Sequence, residues 1–241
     1  MHYKINEKQR LCSELPFSAM ESYRSIQSNI SFLIPDKKTG MLIGITSPSP
    51  QDGKTFTAVN ISYFLAENNK KILLIDGDMR RSSVSKYLEI ENLHGLSEYL
   101  SNQTDDFNIR ESKVHDTLDV ITSGKVPPNP FVLLCSDRMN AMLAKLRDMY
   151  DYIIIDLPPM NVVAESSGVS RMSDGVILVV REGKTKMAAV NAALNQLNLA
   201  GSQIIGVIYN GRKSFKSEYY HKQYYYKKPT EPQSENQSDV K

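Results

Sequence analysis

The sequence predicts an α/β fold, with a mostly parallel sheet covered by helices on both faces. Two observations carry this. Short, nearly unbroken apolar runs recur at 41–46, 72–75, 153–155, 175–180 and 204–208, and such runs flanked by charge read as strands buried on both sides of a parallel sheet. Stretches of helical period separate them, and that alternation with right-handed crossovers makes a doubly covered sheet. At 241 residues the chain is one large domain or one domain with appendages, able to bury about 70% of its unfolded surface.

Taken in order, residues 17–33 form a first helix, with Ser18 as N-cap, Glu21 three residues on as in a capping box, and Met20, Tyr23, Ile26 and Ile30 as its packed stripe. A turn at Pro35–Gly40 leads to the 41–46 strand, and a helix over 55–65 carries Phe56, Val59, Asn60, Tyr63 and Phe64 on one face. After the 72–75 strand come Asp76 and Asp78, then short helices near 85–88 and 96–100. A strand at 118–121 enters the loop Thr122–Pro130, whose prolines keep the preceding residues out of helical geometry. Helices follow at 131–135 and 137–149, the second with Met139, Met142, Leu143, Leu146 and Met149 on one side. A strand then ends in Asp156-Leu157-Pro158-Pro159, and the prolines forbid a direct run into a helix. The remaining elements are a helix over 161–172, the 175–180 strand, a helix over 186–199 and the 204–208 strand.

The chemistry gathers at strand exits. Ser47-Pro48-Ser49-Pro50-Gln51-Asp52-Gly53-Lys54-Thr55 joins strand to helix and approaches G-x-x-x-x-G-K-[ST], with Pro48 at the first Gly position. Backbone N–H groups and the helix dipole would converge there on a polyphosphate, Lys54 would reach the β/γ oxygens, and the Thr55 hydroxyl would sit on Mg²⁺. Asp76 and Asp78 leave one buried strand and Asp156 another, at the carboxyl ends where open α/β sheets place ligands. Such carboxylates can hold Mg²⁺ or accept a proton. Together these stretches indicate a nucleotide phosphate site and a P-loop three-layer sandwich. Asn210, at the exit of the last strand, could offer its amide to a purine edge.

Cys12 and Cys135 are far apart and make no C-x-x-C, so a reducing cytosol is the expected compartment. No apolar run reaches membrane-span length, and any membrane connection is expected to come through a partner. The net charge is only +2, unevenly spread. Residues 212–228 carry six Lys/Arg and one acid, whereas 229–241 carry three acids and one Lys. Five of the thirteen tyrosines fall within Tyr219–Tyr226. Tyrosines among lysines could stack on single-stranded nucleic acid, yet the body offers no basic groove, and no nucleic-acid partner is expected.

The set Ser47–Thr55, Ile72–Arg80 as hydrophobic-D-x-D-x-R, Ile153–Pro159 as hydrophobic-D-x-P-P, and the terminal Tyr cluster closely resembles the bacterial tyrosine kinases of capsular and exopolysaccharide operons. Thr122-Ser123-Gly124 followed by Pro127-Pro128-Asn129-Pro130, and the early Glu21-x-Tyr23-Arg24-x-x-x-x-Asn29, resemble the family too. The resemblance implies an ATP- and Mg²⁺-dependent tyrosine kinase that phosphorylates the tail of neighbouring copies at Tyr219, Tyr220, Tyr224, Tyr225 and Tyr226. By position, Lys54, Asp76 and Asp78 are its catalytic residues; Thr55, Asp76 and Asp156 hold the metal. Ser49, Pro50, Gln51, Asp52, Gly53, Lys54, Thr55, Phe56 and Asn210 bind nucleotide, and Glu21, Tyr23, Arg24 and Asn29 build a ring oligomer. Asp76 is the expected base, with Asp78 orienting it or the reverse. The implied partners are a transmembrane activator of the polysaccharide co-polymerase type, further copies of the chain and a phosphotyrosine phosphatase, at the inner face of the membrane.

The expected organisation is a flexible N-terminus (1–16), a P-loop kinase domain (17–212, with 17–34 the oligomerisation helix) and a largely disordered tyrosine-rich tail (213–241). Pro48 and Gln51 stand where the family has a small residue and a Gly, and Gln27 where the ring motif has Arg. If residue 51 takes a positive φ, Gln there stores about 1–3 kcal/mol of strain. Two other readings compete: a partitioning or division-site P-loop ATPase, which would carry a second Lys where Ser49 stands, and a non-catalytic ATP-binding module.

Overall fold

The computed structural model describes residues 11–33, 39–162 and 165–211. Seven strands, β1 (Met41–Thr46), β2 (Ile72–Asp76), β3 (Arg110–Glu111), β4 (Leu118–Ile121), β5 (Tyr152–Asp156), β6 (Gly175–Arg181) and β7 (Ile204–Asn210), form one sheet in the order β3-β4-β2-β5-β1-β6-β7. All neighbours run parallel except β3 with β4. The mostly parallel, doubly covered sheet is the architecture the apolar runs predict. β3, two residues long, carries no apolar pattern and was not foreseen.

Eight helices accompany the sheet among the described residues: α1 (Phe17–Leu33), α2 (Lys54–Ala66), α3 (Val84–Tyr87), α4 (Leu96–Leu100), α5 (Pro130–Leu134), α6 (Asp137–Arg147), α7 (Glu165–Met172) and α8 (Met187–Leu199). Successive strand residues face opposite sides. Ile43, Ile45, Ile72, Leu74 and Ile154 pack in one cluster with α1 and α2. Leu42, Leu73, Ile75, Ile153 and Ile155 pack on the other side with α4 and α6, and Val176, Leu178 and Val180 meet Ala193 and Leu197 of α8.

α2 is enclosed well beyond the single face its sequence suggests: every residue except Phe56 is buried, because α1 covers the side that the sheet does not. The Tyr23 and Phe64 rings stack at 5.6 Å and 5°. Polar Asn60 survives inside by pairing both ends of its amide, accepting from the Cys12 N–H at 2.8 Å and donating to the Phe56 carbonyl at 2.7 Å.

That contact corrects the expected flexible N-terminus over its described part. Residues 12–14 form a 3-10 turn, and Cys12 and Leu15 are buried in the α1–α2 core; residues 1–10 lie outside the described residues. Ser18 is not the cap either. The Pro16 carbonyl accepts from the N–H groups of Ala19 and Met20 at 2.9 and 3.1 Å, which puts Ser18 inside the helix and leaves Glu21 free to pair with Arg24 at 2.8 Å. α6 stops at Arg147, so Met149 is 50% exposed while the other four residues of its stripe are buried. α7 begins at Glu165, four residues later than the sequence suggests.

Arg147 fastens the amino-terminal edge of the sheet. It donates to Asp174 at 2.6 Å and to the Gly40 carbonyl at 2.8 Å, and Asp174 also accepts from the Leu42 N–H at 2.8 Å. Tyr23→Ala, which empties the α1–α2 contact, is expected to cost about 3–5 kcal/mol, read as a lower urea midpoint with an unchanged slope.

Candidate active site

β2 and β5 are adjacent and in register, with Asp76 directly beside Asp156 at their carboxyl ends. β1 lies on the other side of β5, and its exit passes through residues 47–53 into α2, whose first two residues are Lys54 and Thr55. The topology therefore brings five expected residues together. Lys54 Nζ lies 3.0 Å from Asp78 Oδ2 and 3.2 Å from each oxygen of Asp156. The Thr55 hydroxyl donates to Asp156 Oδ2 at 2.6 Å.

The loop itself takes left-handed geometry at two places, Gln51 (φ 64°) and Gly53 (φ 97°), an arrangement suited to an anion nest. Position 51 thus has the positive φ that strains a glutamine. A Cβ on Gly53 would run into the Asn210 amide, which donates to the Asp52 carbonyl at 3.0 Å. Asp52 closes the loop by accepting from the Ser49 N–H at 3.0 Å; its other oxygen is buried without a hydrogen-bond partner among the described residues.

A cleft of 830 Å³ opens over this loop. Of the expected nucleotide residues, Pro50, Gln51, Gly53, Lys54, Thr55 and Phe56 line it, while Ser49, Asp52 and Asn210 act behind them as fasteners. Asp78, Arg80, Arg81, Tyr87, Asn92, Val126 and Pro158 are among its other lining residues. Asp76, expected in both the catalytic and the metal sets, is fully buried. Its Oδ2 accepts from the Ser82 hydroxyl (2.9 Å) and the N–H groups of Ser83 (3.1 Å) and Val84 (3.2 Å), and its Oδ1 from the Asp78 N–H (3.2 Å). Asp76 is therefore the hub of the 78–84 turn, and Asp78 is the carboxylate that the turn presents to the cleft.

Burial raises the Asp76 carboxyl to about 7, with the Asp156 charge adding to the effect and Lys54 and Ser82 opposing it. Burial also raises Asp156, against the pull of Lys54 and Thr55. Burial pulls Lys54 down, but the carboxylates of Asp156 and Asp78 outweigh it and hold the ammonium charged. Two carboxylates, Asp78 and Asp156, thus face one ammonium with Asp76 close behind, an excess of negative charge that a divalent cation would relieve. Thr55 and Asp156 are hard oxygen donors, and Mg²⁺ characteristically takes one or two carboxylates and completes its shell with phosphate and water. A closed protein cage is not needed, and among the described residues no group of three or more His, Cys, Asp or Glu is disposed to hold an ion alone.

Other expected residues fall elsewhere. Glu21, Arg24 and Asn29 lie on the outer side of α1, and Arg24 also comes within 3.9 Å of Glu67. Tyr23 is a core residue, 7% exposed, because its ring is taken up by Phe64. The five acceptor tyrosines lie outside the described residues. Sequence reasoning missed Arg181 and Lys184, which donate to the carbonyls of Pro50 and Gln51. Their place at the exit of β6, beside other strand-tip ligands, was the available signal.

Residues 50–205 match the family described as AAA domain. Tyrosine-protein kinase YwqD of Bacillus subtilis (strain 168) is 36% identical over 200 residues, covering 83% of this chain and 84% of that protein. The chain belongs to the bacterial tyrosine-protein kinases. Tyrosine-protein kinase etk of Escherichia coli (strain K12) is 34% identical over 214 residues, 86% of this chain, and the match spans only 29% of that longer protein. The solved kinase domain of Escherichia coli tyrosine kinase ETK superposes with a TM-score of 0.76 at 36% identity, covering 82% of this chain and 78% of that one.

An aspartate whose pKa rises on folding stabilises the fold while protonated. The Asp76 contribution is complete below its ordinary value of 3.8 and is lost as pH rises to about 7. Stability without nucleotide or Mg²⁺ is expected to fall across that window by up to about 1.4 kcal/mol per pH unit, and Asp76→Asn is expected to flatten the fall. Parallel slopes for parent and variant in denaturant titrations at pH 4 to 7 would refute this.

Proposed function

We propose that the cleft binds ATP with Mg²⁺ and transfers the γ-phosphoryl group to the C-terminal tyrosines of neighbouring copies, Tyr219, Tyr220, Tyr224, Tyr225 and Tyr226. The observation that carries this is the placement of Lys54 between Asp78 and Asp156 at the mouth of a left-handed loop, in a chain that belongs to a tyrosine-kinase family. Phosphoryl transfer asks mainly for positioning and charge neutralisation. Lys54 draws negative charge from the phosphoryl oxygens as the bond to the β-phosphate oxygen breaks and the bond to the tyrosine oxygen forms. A tyrosine hydroxyl, with a pKa near 10, arrives protonated. Asp78 lines the cleft and takes that proton, and Asp76 holds Asp78 through its backbone N–H. This reverses the order expected for the two aspartates, because Asp76 is fully buried behind the 78–84 turn, whereas Asp78, although held by Lys54 and the Arg81 N–H, borders the cleft. Thr55 and Asp156 would hold Mg²⁺, which would supply further charge neutralisation to the triphosphate.

No helix among the described residues is long and apolar enough to cross a membrane. Work at the inner face of the membrane, beside a transmembrane activator in polysaccharide synthesis and opposed by a phosphotyrosine phosphatase, fits the family. Glu21, Arg24 and Asn29 remain on an outer surface of α1 suited to ring assembly.

Incubation with ATP and Mg²⁺ followed by mass spectrometry of the tail is expected to find phosphotyrosine in 219–226, and none in Lys54→Met. Asp78→Ala is expected to lower the rate by about 100-fold or more, with Asp76→Ala less severe once folding is matched. ATP hydrolysis with an unmodified tail would favour the partitioning-type ATPase; bound but unconsumed ATP would favour the binding module.

A further inference from the structure

Gln51 is in left-handed geometry inside the phosphate loop, a conformation that costs a side-chain-bearing residue a factor of about ten in population relative to glycine. The turn following β6 lies against it. Arg181 Nη1 donates to the Gln51 carbonyl at 3.0 Å. Lys184 Nζ donates to the Pro50 carbonyl at 3.2 Å, the Gln51 carbonyl at 3.3 Å and the Gln51 side-chain oxygen at 3.1 Å. The turn is internally braced: the Arg181 N–H donates to the Thr185 hydroxyl at 2.8 Å, the Thr185 N–H to the Arg181 carbonyl at 3.0 Å, and the Glu182 N–H to the Asn210 carbonyl at 2.9 Å.

We infer that Arg181 and Lys184 form a clamp that holds the phosphate loop in its binding shape around the strained Gln51. In a planar trans peptide the C=O and N–H point to opposite sides. Pinning the carbonyls of residues 50 and 51 toward the two cations therefore turns the N–H groups of residues 51 and 52 away from them and fixes both peptide planes. The donors are charged and the acceptors are backbone oxygens, which makes these the stronger class of hydrogen bond. Lys184 also grips the side chain whose presence creates the strain. Arg181 and Lys184 are thus positioning residues: they act on bound phosphate through the loop. The clamp rests on the nucleotide-binding reading given above, and deepens it by assigning the shape of the loop to residues outside the loop.

A double-mutant cycle on the full chain tests this. Lys184→Met is expected to weaken ATP binding, measured by calorimetry with Mg²⁺, by about tenfold, while Lys184→Arg stays within about threefold of the parent. In a Gln51→Gly background, where left-handed geometry is unstrained, Lys184→Met is expected to cost less than twofold. An unchanged affinity in Lys184→Met overturns the clamp. So does a loss of similar size in the Gln51→Gly background, which would assign Lys184 only a through-space charge effect. Hydrogen exchange of amides 49–54 without nucleotide gives a second reading. Exchange is expected to be faster in Lys184→Met and parent-like when Gln51→Gly is added; parent-like exchange in Lys184→Met alone overturns the clamp. This second measurement uses no ATP, so a chain that fails to bind nucleotide sinks the functional proposal without deciding the clamp.

Discussion

The contact of one buried ammonium with two buried carboxylates, Lys54 with Asp78 and Asp156, is the constraint to which the rest of the molecule answers. A buried charge left alone is strongly unfavourable, so each member requires the others to arrive at one point. That requirement is met by chain topology. Asp156 ends β5, Asp78 follows the β2 strand beside it, and Lys54 opens the helix that leaves β1 on the far side of β5. Removing any one of them uncovers the charges of the remaining two.

Around this point the sheet is rigid and the loops are tied from several directions. Asp76 spends its carboxylate on the 78–84 turn, Asn210 holds the Asp52 carbonyl, and Arg181 and Lys184 reach across from β6. The Ser82 hydroxyl, bonded to Asp76, also accepts from the Asn92 amide, which reaches the Gly124 carbonyl at 3.0 Å. The loop at 122–130 that borders the cleft is thereby joined to the same carboxylate. Function on loops carried by a stiff parallel sheet is the usual division of labour in α/β proteins.

How much of this the sequence discloses depends on whether the determinant is local. β1, β2, β5 and β6 stand out because buried parallel strands are apolar almost without interruption, and α1 runs from Phe17 to Leu33 as its periodicity indicates. Lys54, Thr55, Asp76, Asp78 and Asp156 are legible because each ends or follows a strand or opens a helix. The cap at Ser18 misleads because the Pro16 carbonyl, an acceptor no composition rule singles out, closes the first turn. Tyr23 reads equally well as a packing residue and as part of an assembly motif, and its stack on the Phe64 ring is a contact between helices that local pattern does not disclose. The order of Asp76 and Asp78 depends on where three N–H groups and a hydroxyl point, and Lys184 acts on carbonyls more than 130 residues away in sequence. Local pattern carries neither kind of information.

The packing of α1 against α2 through the Tyr23–Phe64 stack, with the 3-10 turn before α1 tied to the same helix by the Cys12–Asn60 bond, has a mechanical corollary. α2 is continuous with the lysine-bearing end of the cleft, so the outer helix is seated on the shaft whose tip is Lys54. Any load applied to the exposed side of α1 reaches the phosphate end as a push along or across that shaft, through close-packed side chains that deform little.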